Sequence, residues 1–470
     1  VQFQILSHAG LRVKSSNIEL LCDPWLIGSC YWRSWWNYPP VDPKLIDSLK
    51  PDAIYLTHIH WDHFQGPSLR LFPKEIKIIV PKGNYDRIKR DLHNMGYTNV
   101  VELAHGQSIE LASDFKLTSY QFGPFLDSAV IIEADGKVLF NANDAKLMGM
   151  PLKQVKQRHP IIDFVLRSHS SANSRLCYEY IDGMQAPVDN IEQYIQNFAD
   201  FCIATGAEYA IPFASNHCFL HKEVFDLNHT VQTPDMVLQH WQQNAIATPK
   251  LKIMVSGDSW STNEGFKTDA KDYFQNRTQH LLNYREKMLP KLEKTYEREA
   301  NAKIRMAQVE KYFDKLWSNS PWFMRKILVG NTDFLFVLLA GDNTYRFTVN
   351  LLKKAIREVG PEQEQEFDAQ IHTNVLMFNQ CMALDLFSHL SISKRVNYKV
   401  TKRSRKYVNG LNLLFNCYEY EIVPLRKLFS GRSCENWLRR WREILLYMMW
   451  TKDLLLRKKI DQKKYIQAAS

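Results

Sequence analysis

The stretch LTHIHWDHFQG, residues 56–66, places His58, His60, Asp62 and His63 within six positions, directly after the apolar run AIYL. Imidazole nitrogens and carboxylate oxygens are ordinary ligands of zinc and iron. Two histidines two apart on an extended segment point the same way. Asp62 and His63 come round as the chain bends toward a helix, so two ligand pairs form, enough for two cations. A lone histidine is more often a surface or satisfied core residue than a ligand. Four ligand-type side chains in the form H-x-H-x-D-H are a metal-binding signature, and the chemistry it suggests is activation of water beside one or two cations.

The H-x-H-x-D-H spacing resembles the metallo-β-lactamase superfamily. That resemblance implies a four-layer αββα sandwich with the metals at one edge of the two sheets, a bridging Asp at a later strand end and a last His near the domain's end. In that order, Asp144, just past the run KVLFNAN, is expected to bridge the metals; the plain alternative is a turn Asp after a strand. AEYAIPFASNHCFLHKE offers His217 and His221. The runs LLCDPWLIGSCYWRSWW, DSAVIIEADGKVLFNANDA and IPFASNHCFLH are similar to the corresponding part of the CMP-N-acetylneuraminate hydroxylases and, beyond them, to the ascorbate-6-phosphate lactonase-like branch. That similarity implies His221 as the last ligand. It also implies a third His before SAVIIEA, where YQFGPFLDS has none. His169, in DFVLRSHSSANS, is either its replacement or a loop histidine that contacts substrate. His8, in LSHAGL, matches a position near the site that does not coordinate in most relatives. Cys218 and His221 have C-x-x-H spacing but no C-x-H partner precedes them, so no built-in Rieske centre is expected.

These residues imply a metal-dependent hydrolase with a metal-bound hydroxide at a dinuclear, or depleted mononuclear, site. Two divalent ions, zinc or iron, are expected, with His58 and His60 holding one, Asp62, His63 and His221 the other, and Asp144 between them. Asp62 and His169 are the candidate catalytic residues. The alternatives are an iron-dependent oxygenase fed by an external electron donor and a non-catalytic scaffold. The aromatic segment YWRSWWNYPP reads as a wall or lid, and Arg33, Trp35, Arg167 and His217 as contacts for a small anionic substrate. His93, His105, His280, His372 and His389 form no spacing that suggests chemistry. No P-loop or G-x-G-x-x-G is present, so a phosphoryl-donor nucleotide has no support.

Elements must position these residues. With 470 residues and 45% hydrophobic side chains, the chain can bury several cores. Strand and helix patterns over residues 1–268 predict an α/β catalytic domain. Residues 269–329 read as a helical connector and 330–430 as a small α+β domain that opens with two β-type runs around GDN. Residues 431–470 read as a basic amphipathic C-terminal helix with Trp437, Trp441, Ile444, Met448 and Leu455 along one stripe. From Ser391 onward there are 19 Lys and Arg against 6 Asp and Glu, a surplus exceeding the whole chain's net charge of +10. That tail is expected to pack on its own protein, to form a homodimer or to touch a membrane surface; specific nucleic-acid binding is not expected. Eight scattered cysteines suit reduced thiols, the opening residues show no leader, and no run reaches the ~20 apolar residues of a span. A cytoplasmic, at most peripherally membrane-bound, protein is expected.

Overall fold

The computed structural model describes residues 1–170, 174–183, 191–269, 272–455 and 462–467. Two sheets face each other. The first has eight strands, in the order Gly265–Lys267, Ser259–Ser261, Gln2–Ile5, Leu11–Lys14, Glu19–Cys22, Ala53–Tyr55, Lys77–Pro81 and Val100–Leu103. The second has seven, with Asp127–Ala134, Lys137–Asn143, Phe164–Ser168 and Tyr209–Phe213 consecutive at its centre.

Strand alternation decides which layer each side chain joins. Leu20, Cys22, Ala53 and Tyr55 point inward and pack with Val130, Ile132, Leu139 and Leu166 between the sheets. Their neighbours Leu21 and Ile54 point outward into a cluster with Leu69 and Leu92 of the covering helices. On the far side, Phe140 and Val165 pack under helices Gly149–Arg158 and Ile191–Thr205, with Leu152 and Phe198 at the contact. The result is a four-layer αββα sandwich, the layering that the metallo-β-lactamase resemblance implies. Buried on both faces, its central strands read as continuous apolar runs.

Helices Arg277–Ala300, Met306–Asn319 and Trp322–Leu328 follow. Beyond them a six-stranded sheet runs Tyr178–Tyr180, Val396–Val400, Ala369–Asn374, Phe334–Ala340, Asn343–Asn350 and Ala355–Glu358. Its hairpin turns at Gly341 and Asp342, where Gly341 takes φ +58°. One strand of this sheet comes from within the stretch expected to be catalytic, so residues 1–268 do not close on themselves.

The C-terminal region differs from the single helix expected. It forms three helices, Gly431–Arg439, Trp441–Leu455 and Gln462–Gln467. The packed stripe is also not the one expected: Leu446, with Trp450, Tyr465 and Ile466, joins the core under the second sheet, while Trp441, Ile444 and Met448 are exposed. The side chain of Leu455 lies outside the described residues. Buried Arg440 and Glu443 pair at 2.7 Å and together clamp Gly123, accepting its N–H and donating to its carbonyl. Among the described residues, no helix is long and apolar enough to cross a membrane.

Candidate metal centre

The strand Ala53–Tyr55 delivers the ligand loop to the sheet edge. Leu56 N–H still pairs with Ile79 O, and Thr57 N–H then turns to Asp23 Oδ1 at 2.8 Å. His60 O accepts from both His63 N–H and Phe64 N–H, a single tight turn that brings Asp62 and His63 back beside His58. Asp144 arrives from Lys137–Asn143, whose register shifts after Asn141 and whose last residue, Asn143, takes φ +51°. Such an irregularity re-aims the side chain that follows it. Asp23 also has positive φ, +43°, a conformation Asp and Asn tolerate better than most residues.

Asp23 organises the cluster without joining it. It accepts from Thr57 Oγ1 at 2.6 Å and Asn143 Nδ2 at 2.6 Å, and its Oδ2 lies 2.9 Å from His63 Nδ1. That contact fixes the ring so that Nε2 faces inward, as carboxylates behind metal-ligating histidines do. His63 Nε2 lies 3.3 Å from Asp62 Oδ2 and 3.3 Å from Asp144 Oδ2, yet it is buried and makes no aligned hydrogen bond. His8 Nε2, 3.2 Å from Asp62 Oδ2, is in the same condition. Imidazole and carboxylate atoms that converge at ion-pair distance without aligned hydrogen bonds mark a place where a cation fits. Two triads with ligand atoms within 4.8 Å of one another share His63: His8 with Asp62, and His58 with Asp144. His60 stands beside the second triad without joining it, its Nδ1 2.9 Å from His58 Nε2.

The electrostatics follow the packing. Burial favours the neutral form of His58, and the neighbouring His63 and His60 push its pKa further down. Burial raises Asp62, but His63 and His8 outweigh it and hold the carboxyl well below its usual value. His63 is the converse: burial lowers it, while Asp62, Asp144 and Asp23 raise it well above normal. Asp127, in the segment where the resemblance implies a third histidine, lines the approach to His60, and burial and Asp144 push its pKa up to about 7.

Several expected site residues stand elsewhere. His221 is not in the cluster; its Nε2 is 3.3 Å from Glu299, in a buried group with Arg395, and burial lowers its pKa. Of the two candidates it is His217 that approaches, with its ring 5.5 Å from His8. The strand His217–Phe219 pairs with Trp35–Asn37, which seats His217 flat on Trp35 at 3.7 Å. His169 is buried, burial pulls it down to about 3, and it belongs to neither triad among the described residues. The aromatic segment is wall rather than lid: Trp35 is 3% exposed and donates to Ile392 O, so it is not open to substrate. Arg167 is buried over the Phe201 ring, 3.9 Å from its centroid, and lines neither cavity described here. Arg33 lines a separate cavity behind the loop.

Other residues reach the centre with no signal in local spacing. Tyr31 donates to Asp62 Oδ1 at 2.5 Å. Tyr31, Trp32 and Arg33 all have positive φ, 52° to 64°, at a cost of roughly 1 kcal/mol each. Tyr420, after helix Arg405–Glu419, shares a hydrogen bond of 3.2 Å with His60 Nε2. His389, assigned no role in the sequence, is fully buried with its ring 5.6 Å from His60 and its Nε2 unpartnered. A cavity of about 410 Å3, lined by His60, Asp127, Tyr420, Ser388 and Asn412 among others, leads to the cluster from between the two units.

A family model described as a β-lactamase superfamily domain matches residues 19–167. A protein of Mycolicibacterium smegmatis named for a Rieske 2Fe-2S iron–sulfur centre is 25% identical over 244 residues, 48% of this chain and 46% of that one. Cytidine monophosphate-N-acetylneuraminic acid hydroxylase of Mus musculus is 31% identical over 152 residues, 31% of this chain and 26% of its own. The matched region thus spans about half or less of these relatives' length. The metallo-β-lactamase fold protein YhfI of Bacillus subtilis aligns with 55% of this chain and 99% of its own, at 15% identity and a TM-score of 0.36. The family match covers strand Glu19–Cys22 through most of Phe164–Ser168 and includes Asp23, His58, His60, Asp62, His63 and Asp144, so residues 19–167 are similar to the β-lactamase superfamily domain over the part of the sandwich that carries the cluster.

Proposed function

We propose that the chain is a metal-dependent hydrolase. The observation that carries this reading is the convergence of His63 Nε2 with Asp62 and Asp144, both at 3.3 Å and neither hydrogen-bonded to it. His58, His60, Asp62, His63 and Asp144 would hold the metal, with His8 a further donor. A divalent metal there would polarise a carbonyl or phosphoryl oxygen and would lower the pKa of a water toward ~7. The chain's own residues set the geometry: Asp23 fixes the His63 tautomer, Tyr31 restrains the Asp62 carboxylate, and the buried walls keep bulk water from Asp62 and His63 while Asp144 stays partly open to it. Asp127 and Tyr420 line the approach and offer polar groups to a substrate entering the smaller cavity.

A second reading, an iron oxygenase with a separate electron donor, is favoured by the 31% identity to a hydroxylase and by a carboxyl, Asp127, where a third imidazole is expected. Metal analysis of the purified protein, with ester and phosphodiester hydrolysis and oxygen uptake followed in parallel, tests both. Hydrolysis that needs zinc or iron and disappears in His58→Ala/His60→Ala supports the first. Metal-dependent oxygen uptake with a reductant replaces it with the second. Protein that takes up neither metal overturns both.

A further inference from the structure

The ligand loop has two faces. His60 faces the smaller cavity, while the alternate residues Ile59 and Trp61 line a cavity of about 1120 Å3 on the loop's other side. Part of that wall is apolar, with Trp32, Trp61, Phe64 and Met95. Another part is cationic. Arg87, Arg90 and Lys427 there are balanced by Asp91, Asp86 and Glu421. Arg33, Arg70, Arg298 and Arg426 also line it, and among the described residues none of the four has a carboxylate within ion-pair distance.

Arg33 is held in place rather than loosely displayed. The left-handed turn Tyr31–Trp32–Arg33 sends the Tyr31 phenol to Asp62 while its next two residues line this cavity. Trp32 Nε1 is fixed by Gln380 Oε1 at 2.6 Å, and Arg33 donates to Ser29 Oγ at 3.1 Å. Arg298, from helix Arg277–Ala300, lies near enough that burial and its charge together pull Arg33 below its usual range. Strained backbone of this kind collects where a clamp or ligand site is built. Like charges gathered without a counter-ion favour an anion, and guanidinium groups match phosphate through paired hydrogen bonds. The indoles beside them favour a flat or apolar body.

We propose that this cavity is a second site that binds an organic phosphate, its phosphate on Arg33 and Arg298 and its apolar body against Trp32 and Trp61. It does not depend on the metal centre turning over. The ligand is either a soluble phosphate ester or the headgroup end of an anionic lipid, since both present this chemistry.

Titration of the full chain with 1-naphthyl phosphate, followed by tryptophan fluorescence, tests the site. Saturable binding is expected, weakened at least about tenfold in Arg33→Gln/Arg298→Gln and unchanged in Lys250→Gln/Lys267→Gln, which removes two exposed cations elsewhere. Arg298 is exposed, so Arg298→Gln alone serves if the double variant loses its near-ultraviolet circular dichroism. Co-sedimentation with vesicles of phosphatidylglycerol that is lost in the variant identifies a lipid; naphthyl phosphate binding without sedimentation identifies a soluble ester. The proposal is overturned by unchanged affinity in the variant, by inorganic phosphate binding as tightly as 1-naphthyl phosphate, or by no saturable binding.

Discussion

At the scale of single residues, Asp23 and His221 make opposite demands on an experiment. Asp23 accepts from Thr57 and Asn143 and orients His63, so Asp23→Asn is expected to lower metal affinity by about 10- to 100-fold, read by competition with a chelating dye. His221 lies against Glu299 and Arg395 instead. His221→Ala should leave metal stoichiometry unchanged and lower the melting temperature, and a variant that loses its metal would restore His221 as a ligand. The candidate ligands that can be read from spacing are those one loop supplies: His58, His60, Asp62 and His63 are neighbours in sequence and remain so in space. Asp144 is legible because it ends an apolar strand. His8 is legible only through the resemblance, whereas Asp23, Tyr31 and Tyr420 arrive through sheet pairing and through packing between units, which leave no local pattern. The choice between His217 and His221 turns on the pairing of His217–Phe219 with Trp35–Asn37, which spacing alone does not encode.

At the scale of elements, helix Arg405–Glu419 carries two testable loads. Burial pushes Glu419 up to about 7, from a usual value of 4.5, despite the amide and hydroxyl of Ser388 that donate to it. Between those values the unfolded chain's glutamate is ionised while the folded one keeps its proton, so stability falls as pH rises through the window. Above about pH 7 the loss is complete, at about 3 kcal/mol for this group. Chemical denaturation from pH 5 to 8 should show that decline, and Glu419→Gln should flatten it. On the opposite face, a Cβ at Gly410 would overlap the carbonyl of Leu328, the last residue of helix Trp322–Leu328. Gly410→Ala is expected to cost about 1–3 kcal/mol by overpacking, measured as a lower denaturation midpoint. Neither load is visible in the helix's own sequence, because both depend on what lies across from it.

At the scale of the whole molecule, the sandwich and the second sheet are joined by more than a connector. Arg395, itself buried, pairs with buried Glu299 at 2.8 Å and with exposed Glu223 at 2.8 Å and donates to Trp32 O, tying three regions of the chain to one guanidinium. Ser34 and Trp35 donate to the carbonyls of Ser393 and Ile392. A fragment of residues 1–268 should therefore be protease-sensitive and bind metal poorly, since it lacks Tyr420 and leaves these groups unpaired. A fragment with the full chain's resistance to proteolysis would show that the sandwich stands alone. The α/β class and the four layers are legible because apolar strands alternate with helices; the exchange of a strand between units is not, since YEY is too short to announce a partner. Strand Tyr178–Tyr180 pairs with Val396–Val400 in register from Tyr178 to Tyr398. At about 5–20 residues per second of synthesis, the partner emerges from the ribosome some 10–45 s after the strand that needs it. Throughout that interval the nascent chain presents an unpaired edge and uncovered aromatic rings, so its production is a contest between completion and aggregation, and slower translation prolongs the exposure.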